Sequence, residues 1–303
     1  MLLSRKVISR SIILVIVIIL LYPLLFNKTE RRPFTGTRLS EVTYSEITFE
    51  NGEVDLAGML MIPDGTGPFP AVVFIHGSGT SQRDSPWYLS VAKHFQENGI
   101  AVLLPDKRGS VKSGGDWKTA SFIDLSEDKL GAIAYLKNQD QFQYSNIGII
   151  GMSQGGWVAP VTESSIQDIS FLITMSGAAV TTDEQLMFEE VNNLVEMGMY
   201  PLIAQIVAPL TTFFVKQRSF WKQIGGFDPI PYGKTVSVPA FATFGENDKN
   251  APVEESVKRL QNIGNDNIKI RTYSDGGHAI SDPISHKVQQ ELLDDLVIFV
   301  GSV

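Results

Sequence analysis

Residues 151–155 read Gly-Met-Ser-Gln-Gly, directly after the apolar run Asn146-Ile-Gly-Ile-Ile150 and directly before a segment of helical period. A strand that turns sharply into a helix exposes the side chain at its apex, so Ser153 is the candidate nucleophile. Gly151 and Gly155 suit such a turn, because strand and helix pass there too closely for side chains. The pentapeptide alone recurs by chance; its place between strand and helix gives it weight. A serine hydroxyl is a weak nucleophile at neutral pH, so it requires a base to take its proton and a carboxylate to orient that base.

Of the four histidines, His278 stands in Ser274-Asp-Gly-Gly-His278, a glycine-rich loop after a strand-like run. His94 falls in a helical pattern and His286 at the expected start of the last helix, which reads as surface or packing; His76 belongs to a different motif. For the acid, Asp248 lies in Gly245-Glu-Asn-Asp-Lys-Asn-Ala-Pro252, just past another strand-like run. A carboxylate there points into the crevice that Ser153 would share. Glu246, Asp275 and more weakly Asp282 compete, although Asp275 is near His278 in the chain and poorly placed to reach its far side. Taken alone, Asp248 reads as a loop or capping aspartate; the order Ser, Asp, His favours the functional reading. Negative charge developing on a substrate oxygen needs backbone donors. The Gln154 amide supplies one, and His76-Gly77-Ser78-Gly79 supplies the other, with Ser78 the choice and Gly77 the alternative to it.

These residues need a scaffold that brings several strand ends together. From Ala71 onward short apolar runs alternate with longer segments of helical period, the pattern of a mostly parallel sheet covered on both faces. Strands are expected at Ala71–Ile75, Ile100–Leu104, Ile147–Ile150, Phe171–Met175, Ala240–Phe244 and Ile268–Tyr273. Helices are expected at Trp87–Gln96, Asp124–Asn138, Gln154–Glu163, Val253–Asn262 and Ser285–Val300. Before them, Val42–Phe49 and Val54–Met61 form a hairpin turning at Asn51-Gly52. The stretch Ala178–Val238 is too long for a plain loop and rich in large apolar groups, so it reads as a helical cap. Its apolar side chains have two possible destinations, a substrate pocket or the body of the domain.

The chain has 303 residues, 43% of them apolar, and no cysteine, which excludes disulfides and thiolate metal sites. Nothing in it suggests a clustered His/Asp/Glu metal site or a cofactor. Residues 1–40 stand apart: Arg5, Lys6 and Arg10 precede an uncharged apolar run, Ser11–Phe26. Its length in a helix, roughly 24 Å, is somewhat under a bilayer's apolar thickness, and Val7 and Ile8 extend the stretch. No small-x-small cleavage site follows, which favours an uncleaved signal-anchor over a cleaved signal peptide or a buried helix. The expectation is a single-pass anchor with the catalytic domain outside the cytoplasm, secretion after cleavage being the alternative. Basic residues flank both ends of the run, so the charge rule does not set orientation. Beyond residue 32 the chain is strongly acidic, which argues against a nucleic-acid partner.

With these motifs in view, the chain resembles the α/β-hydrolase superfamily over nearly all of Val42–Val303. The resemblance rests on 76–79, Asp106-Lys-Arg-Gly109, Gly-Met-Ser-Gln-Gly-Gly-Trp (151–157), 245–252 and Gly-Gly-His (276–278). The run Gly-Ser-Gly-Thr-Ser-Gln-Arg-Asp (77–84) is similar to bacterial carboxylesterases of the dienelactone-hydrolase-like and prolyl-oligopeptidase-like branch. It implies a cofactor-free hydrolase with residues 41–303 as its domain, the triad Ser153, Asp248 and His278, oxyanion amides from Gln154 and Ser78, and a small-molecule ester as substrate. Peptidase and thioesterase activity are the rivals among enzymes, and a non-catalytic binding module the rival outside them. An acidic cluster in the pocket would favour a substrate amine. One departure is visible: where relatives carry Arg-Gly-x-Gly-x-Ser, this chain has Val111 at the second glycine.

Overall fold

The computed structural model describes residues 34–303, except 53, 140–142 and 167. The expected N-terminal anchor lies outside the described residues. Among those described, no helix is long and apolar enough to cross a membrane.

Eight strands form one sheet in the order β1-β2-β4-β3-β5-β6-β7-β8. They are β1 (Ser45–Asn51), β2 (Val54–Met61), β3 (Phe69–Ile75), β4 (Ala101–Pro105), β5 (Tyr144–Met152), β6 (Phe171–Met175), β7 (Ala240–Gly245) and β8 (Ile268–Tyr273). β1 and β2 make the hairpin, turning through Gly52 at φ +56°. β2 is antiparallel to β4 as well, and every pairing from β4 to β8 is parallel. After β3 the chain moves outward to β4, then returns across β3 to place β5 on its other side. The loops leaving β3 and β5 diverge, and the crevice between them is where open α/β sheets hold ligands.

Alternation along the buried strands fills two cores. Ala71, Val73 and Ile75 face one layer, with Ile133, Leu136 and Val158. Val72 and Phe74 face the other, with Leu89, Phe95 and Leu296. The covering helices are α1 (Pro86–Glu97), α2 (Phe122–Lys137), α3 (Gly155–Ser165) and, after four further helices between β6 and β7, α8 (Val253–Ile263) and α9 (Gln290–Gly301). Ser121 and Asp124 cap α2 reciprocally, which fixes where it starts.

The last helix begins five residues later than expected. Asp282 accepts hydrogen bonds from the amides of Ile284 and Ser285, and Ser281 pairs with Val288 in an isolated bridge. These bonds hold 282–288 as a loop, and His286 sits there at φ +57° rather than opening a helix.

Between β6 and β7 the chain forms α4 (Thr182–Glu196), α5 (Pro201–Lys216), α6 (Ser219–Ile224) and α7 (Ile230–Thr235). Their apolar side chains divide three ways. Leu194, Met199, Ala204 and Ala208 pack α4 against α5. Leu186, Val215, Phe220, Trp221 and Ile224 face a cavity. Leu202, Ile206, Leu210, Phe213 and Phe214 are exposed to solvent, a third destination that the sequence reading did not include.

Candidate active site

β5 delivers Ser153 to the end of the sheet in a left-handed conformation, φ +51°, which a side-chain-bearing residue adopts only when its surroundings demand it. The demand is visible in the neighbouring backbone. A Cβ on Gly155 would lie 2.3 Å from the Ile75 carbonyl oxygen, and one on Gly151 would lie 2.1 Å from that of Gly155. Ser153 N–H donates to Met175 O (2.8 Å) and Ser153 O accepts from Gly156 N–H (2.8 Å), locking the apex.

His278 arrives from the loop after β8. Its Nε2 lies 2.9 Å from Ser153 Oγ and its Nδ1 lies 2.8 Å from Asp248 Oδ2. An ionised carboxylate can only accept, so Nδ1 carries the proton in that pair and Nε2 is left to accept from the serine hydroxyl. Asp248, from the loop after β7, has a fully buried side chain. Its other oxygen accepts from the amides of Asn250 (2.7 Å) and Ala251 (3.0 Å), which fixes the carboxylate plane. The competing acids go elsewhere: Asp275 accepts from Asn247, Asp282 organises its own loop, and Glu246 is exposed. His94 approaches Asp294 at 3.4 Å, away from the serine.

The 76–84 loop stands opposite. The Gly77 N–H donates to Tyr88 Oη (2.7 Å), so of the two amides proposed for a developing oxyanion Gly77's is occupied and Ser78's is the candidate. His76 Nε2–H donates to Pro105 O (2.7 Å), and burial together with Lys129 and Lys107 lowers its pKa to about 3, which keeps the ring neutral. Arg83 grips Asp106 through two bonds (2.9 and 2.8 Å), tying this loop to the one after β4, and Arg108 grips Asp128 on α2 in the same way (both 2.8 Å). Val111 lies in that second loop at φ +51°, the conformation a glycine would take freely.

Ser153 opens into a cavity of about 330 Å³. Ser78, Gly79, Gln154, Trp117 and Trp157 line it together with residues of α4 to α6. Glu189, Glu190 and Arg218 are its charged lining residues. Burial pushes the Glu189 carboxyl above its ordinary value, against a smaller opposing effect of His278. Sequence reasoning did not single out Tyr88, Lys107, Trp117 or Glu189. Lys107 lay inside a segment that carried the family resemblance, but nothing in its neighbours marks a lysine as buried. Among the described residues, no group of three or more His, Cys, Asp or Glu could hold a metal ion.

Comparisons with known proteins agree with this architecture. Residues 130–303 match the family described as BAAT / acyl-CoA thioester hydrolase C terminal, and residues 51–191 match the X-Pro dipeptidyl-peptidase (S15) family. Esterase EstD of Thermotoga maritima is 25% identical over 74% of this chain and 57% of its own length. Acyl-coenzyme A thioesterase 1 of Rattus norvegicus is 24% identical over 74% of this chain and 52% of its own. The chain thus spans little more than half the length of these relatives. Among solved structures, the Pyrococcus furiosus esterase Pf2001 superposes with a TM-score of 0.65 at 18% identity, covering 89% of this chain and 98% of that one. A dienelactone hydrolase from Anabaena variabilis gives 0.58 at 20%, covering 86% and 97%. With its eight-stranded sheet and the family match over more than half its length, the chain belongs to the BAAT / acyl-CoA thioester hydrolase C-terminal family, among the α/β-hydrolase serine hydrolases.

Proposed function

We propose that this hydrolase cleaves carboxylic esters through a Ser153-His278-Asp248 triad and an acyl-enzyme. The unbroken chain of two hydrogen bonds from Ser153 Oγ to the buried Asp248 carboxylate carries the reading. Ser153 Oγ attacks the ester carbonyl as His278 Nε2 takes its proton, and Asp248 stabilises the imidazolium through Nδ1–H. The tetrahedral oxyanion is received by the amides of Gln154 and Ser78. His278 then returns the proton to the leaving alcohol, and water repeats the sequence on the acyl-enzyme. Ser153→Ala is expected to abolish turnover of a short p-nitrophenyl ester in folded protein. Activity above about a thousandth of wild type would overturn the assignment. Failure of a fluorophosphonate to label folded wild-type protein would favour a binding module instead.

One observation favours a second reading. Glu189 and Glu190 line the cavity with Ser153, an acidic pair suited to a substrate amine, although Arg218 shares the lining. A panel of alkyl esters, acyl thioesters and aminoacyl amides separates the three activities by kcat/KM. For residues 178–238 we propose the role of cap, and for Ser11–Phe26 that of a membrane anchor with the hydrolase domain extracytoplasmic. Alkali-resistant retention of the full chain in membranes tests the anchor; recovery of a shortened chain in the medium favours the secreted alternative.

A further inference from the structure

Behind the proposed oxyanion hole lies a lysine that the reaction scheme does not use. Lys107, two residues beyond the end of β4, is 3% exposed. Its Nζ donates to the Gly77 carbonyl oxygen and to Gln154 Oε1, 3.1 Å away. The Gly77 carbonyl and the Ser78 N–H are two ends of one planar peptide. A cation on the oxygen draws electron density through that amide, so its N–H becomes a stronger donor. The second acceptor is the side chain of Gln154, the other residue whose amide is assigned to the oxyanion. One ammonium group therefore holds, from behind, both residues that would face the developing charge.

The placement is costly for a residue with a purely structural role. Both acceptors are neutral, Asp106 is engaged by Arg83, and Lys129 is a second buried cation close enough to repel it. An ammonium buried without a paired carboxylate is destabilising, and an apolar side chain would fill the space at less cost. The cation sits where positive potential assists formation of an oxyanion.

We infer that Lys107 is a positioning residue for the oxyanion hole, fixing the Gly77–Ser78 peptide and Gln154 and strengthening the Ser78 N–H toward the tetrahedral intermediate. This rests on the reaction proposed above.

The test uses the full chain and a short p-nitrophenyl ester. Lys107→Met is expected to lower kcat about 10- to 100-fold, less than loss of a direct oxyanion donor, with KM changed by no more than about threefold. Burial and the nearby Lys129 lower the Lys107 ammonium to about 7. Wild-type kcat should therefore fall as pH rises through that region, because the cation on the peptide oxygen is lost. Lys107→Arg, which stays charged, should keep a kcat above that of Lys107→Met and lack this fall. The titratable groups around the site are Lys129 on α2, the neutral His76, Tyr88 on the Gly77 amide, His278 at Ser153 and the Arg83–Asp106 pair, and both variants leave them in place. A Lys107→Met kcat within twofold of wild type, a loss confined to KM, or the same alkaline fall in Lys107→Arg overturns the inference. If Lys107→Met does not fold, the pH profile of Lys107→Arg against wild type decides alone. Ser153→Ala separates the two levels: an active Ser153→Ala removes the reaction itself, whereas an inactive one beside a fully active Lys107→Met removes only the role of Lys107.

Discussion

The loops at the strand ends and the four helices between β6 and β7 solve different problems with different means. In the loops, Arg83 pairs with buried Asp106 and Arg108 with buried Asp128 of α2, and glycines at 151 and 155 admit backbone where no Cβ fits. The Asp248 carboxylate is held there by two backbone amides, and the Ser153 backbone by two bonds of its own. The helices have large apolar groups both toward the cavity and toward solvent, and the outward set Leu202, Ile206, Leu210, Phe213 and Phe214 is more than half exposed. The geometry of the proposed triad is over-determined, whereas the surface that would select a substrate is specified only on its inner side. Substitutions in the two regions should therefore fail differently, the first in kcat or in folding and the second in KM.

The largest effect is expected from Asp248→Asn. It keeps the shape of the side chain but removes the charge proposed to orient His278, so kcat should drop by about 10⁴ with little change in thermal unfolding, by analogy with the orienting aspartate of other triads. A loss below tenfold would place the orienting acid elsewhere and break the claim that the loops are over-determined. Asp128→Asn asks the same of the fold. The pair with Arg108 is 1% and 12% exposed, and breaking a buried pair on one side costs about 3–5 kcal/mol. Urea unfolding measures that loss, and a change under about 1 kcal/mol would mean that the loop after β4 is held by something else.

The same contrast explains what could be read from the sequence. The strands from β3 to β8 were legible because a buried parallel strand leaves a short continuous apolar run, and the observed bounds differ from the expected ones mainly at the ends. Ser153, Asp248 and His278 each follow such a run, so their convergence at one sheet end could be reasoned from order alone. The destination of the apolar residues on α5 was not legible. A period of 3.6 marks one face of a helix but not whether a neighbour covers it, and Ala204 and Ala208 are buried while Ile206 between them is exposed. Lys107 was hidden for a related reason. A lysine between an aspartate and an arginine reads as surface charge, and only the packing of Gly77, Gln154 and Trp117 around it, from three separate segments, makes it buried.

Within the helices the inner and outer faces can be set against each other. Leu186 lines the cavity and is 6% exposed, so Leu186→Ala should raise KM for a long-chain acyl ester by about tenfold while sparing an acetate ester. Ile206 is 78% exposed, and Ile206→Ser should leave both KM values within about twofold. Equal effects of the two substitutions would show that the helices do not divide between an inner, substrate-facing side and an indifferent outer one.

The smallest effect concerns Val111, where the loops depart from their own economy. Its φ of +51° belongs to the left-handed region, which costs a β-branched residue about 1–2 kcal/mol, and its side chain is 56% exposed and returns little packing. Gly109 and Gly115 nearby take the same sign of φ without that penalty. Val111→Gly removes the strain but adds chain entropy to the unfolded state, worth about 0.5–1 kcal/mol in the opposite direction. The net gain should be about 0.5–1 kcal/mol, seen as a Tm higher by about 1–3 °C with kcat unchanged. A lower Tm would mean that the valine side chain stabilises the loop after β4, and that this loop, like the inner face of the helices, depends on apolar contact rather than on backbone geometry alone.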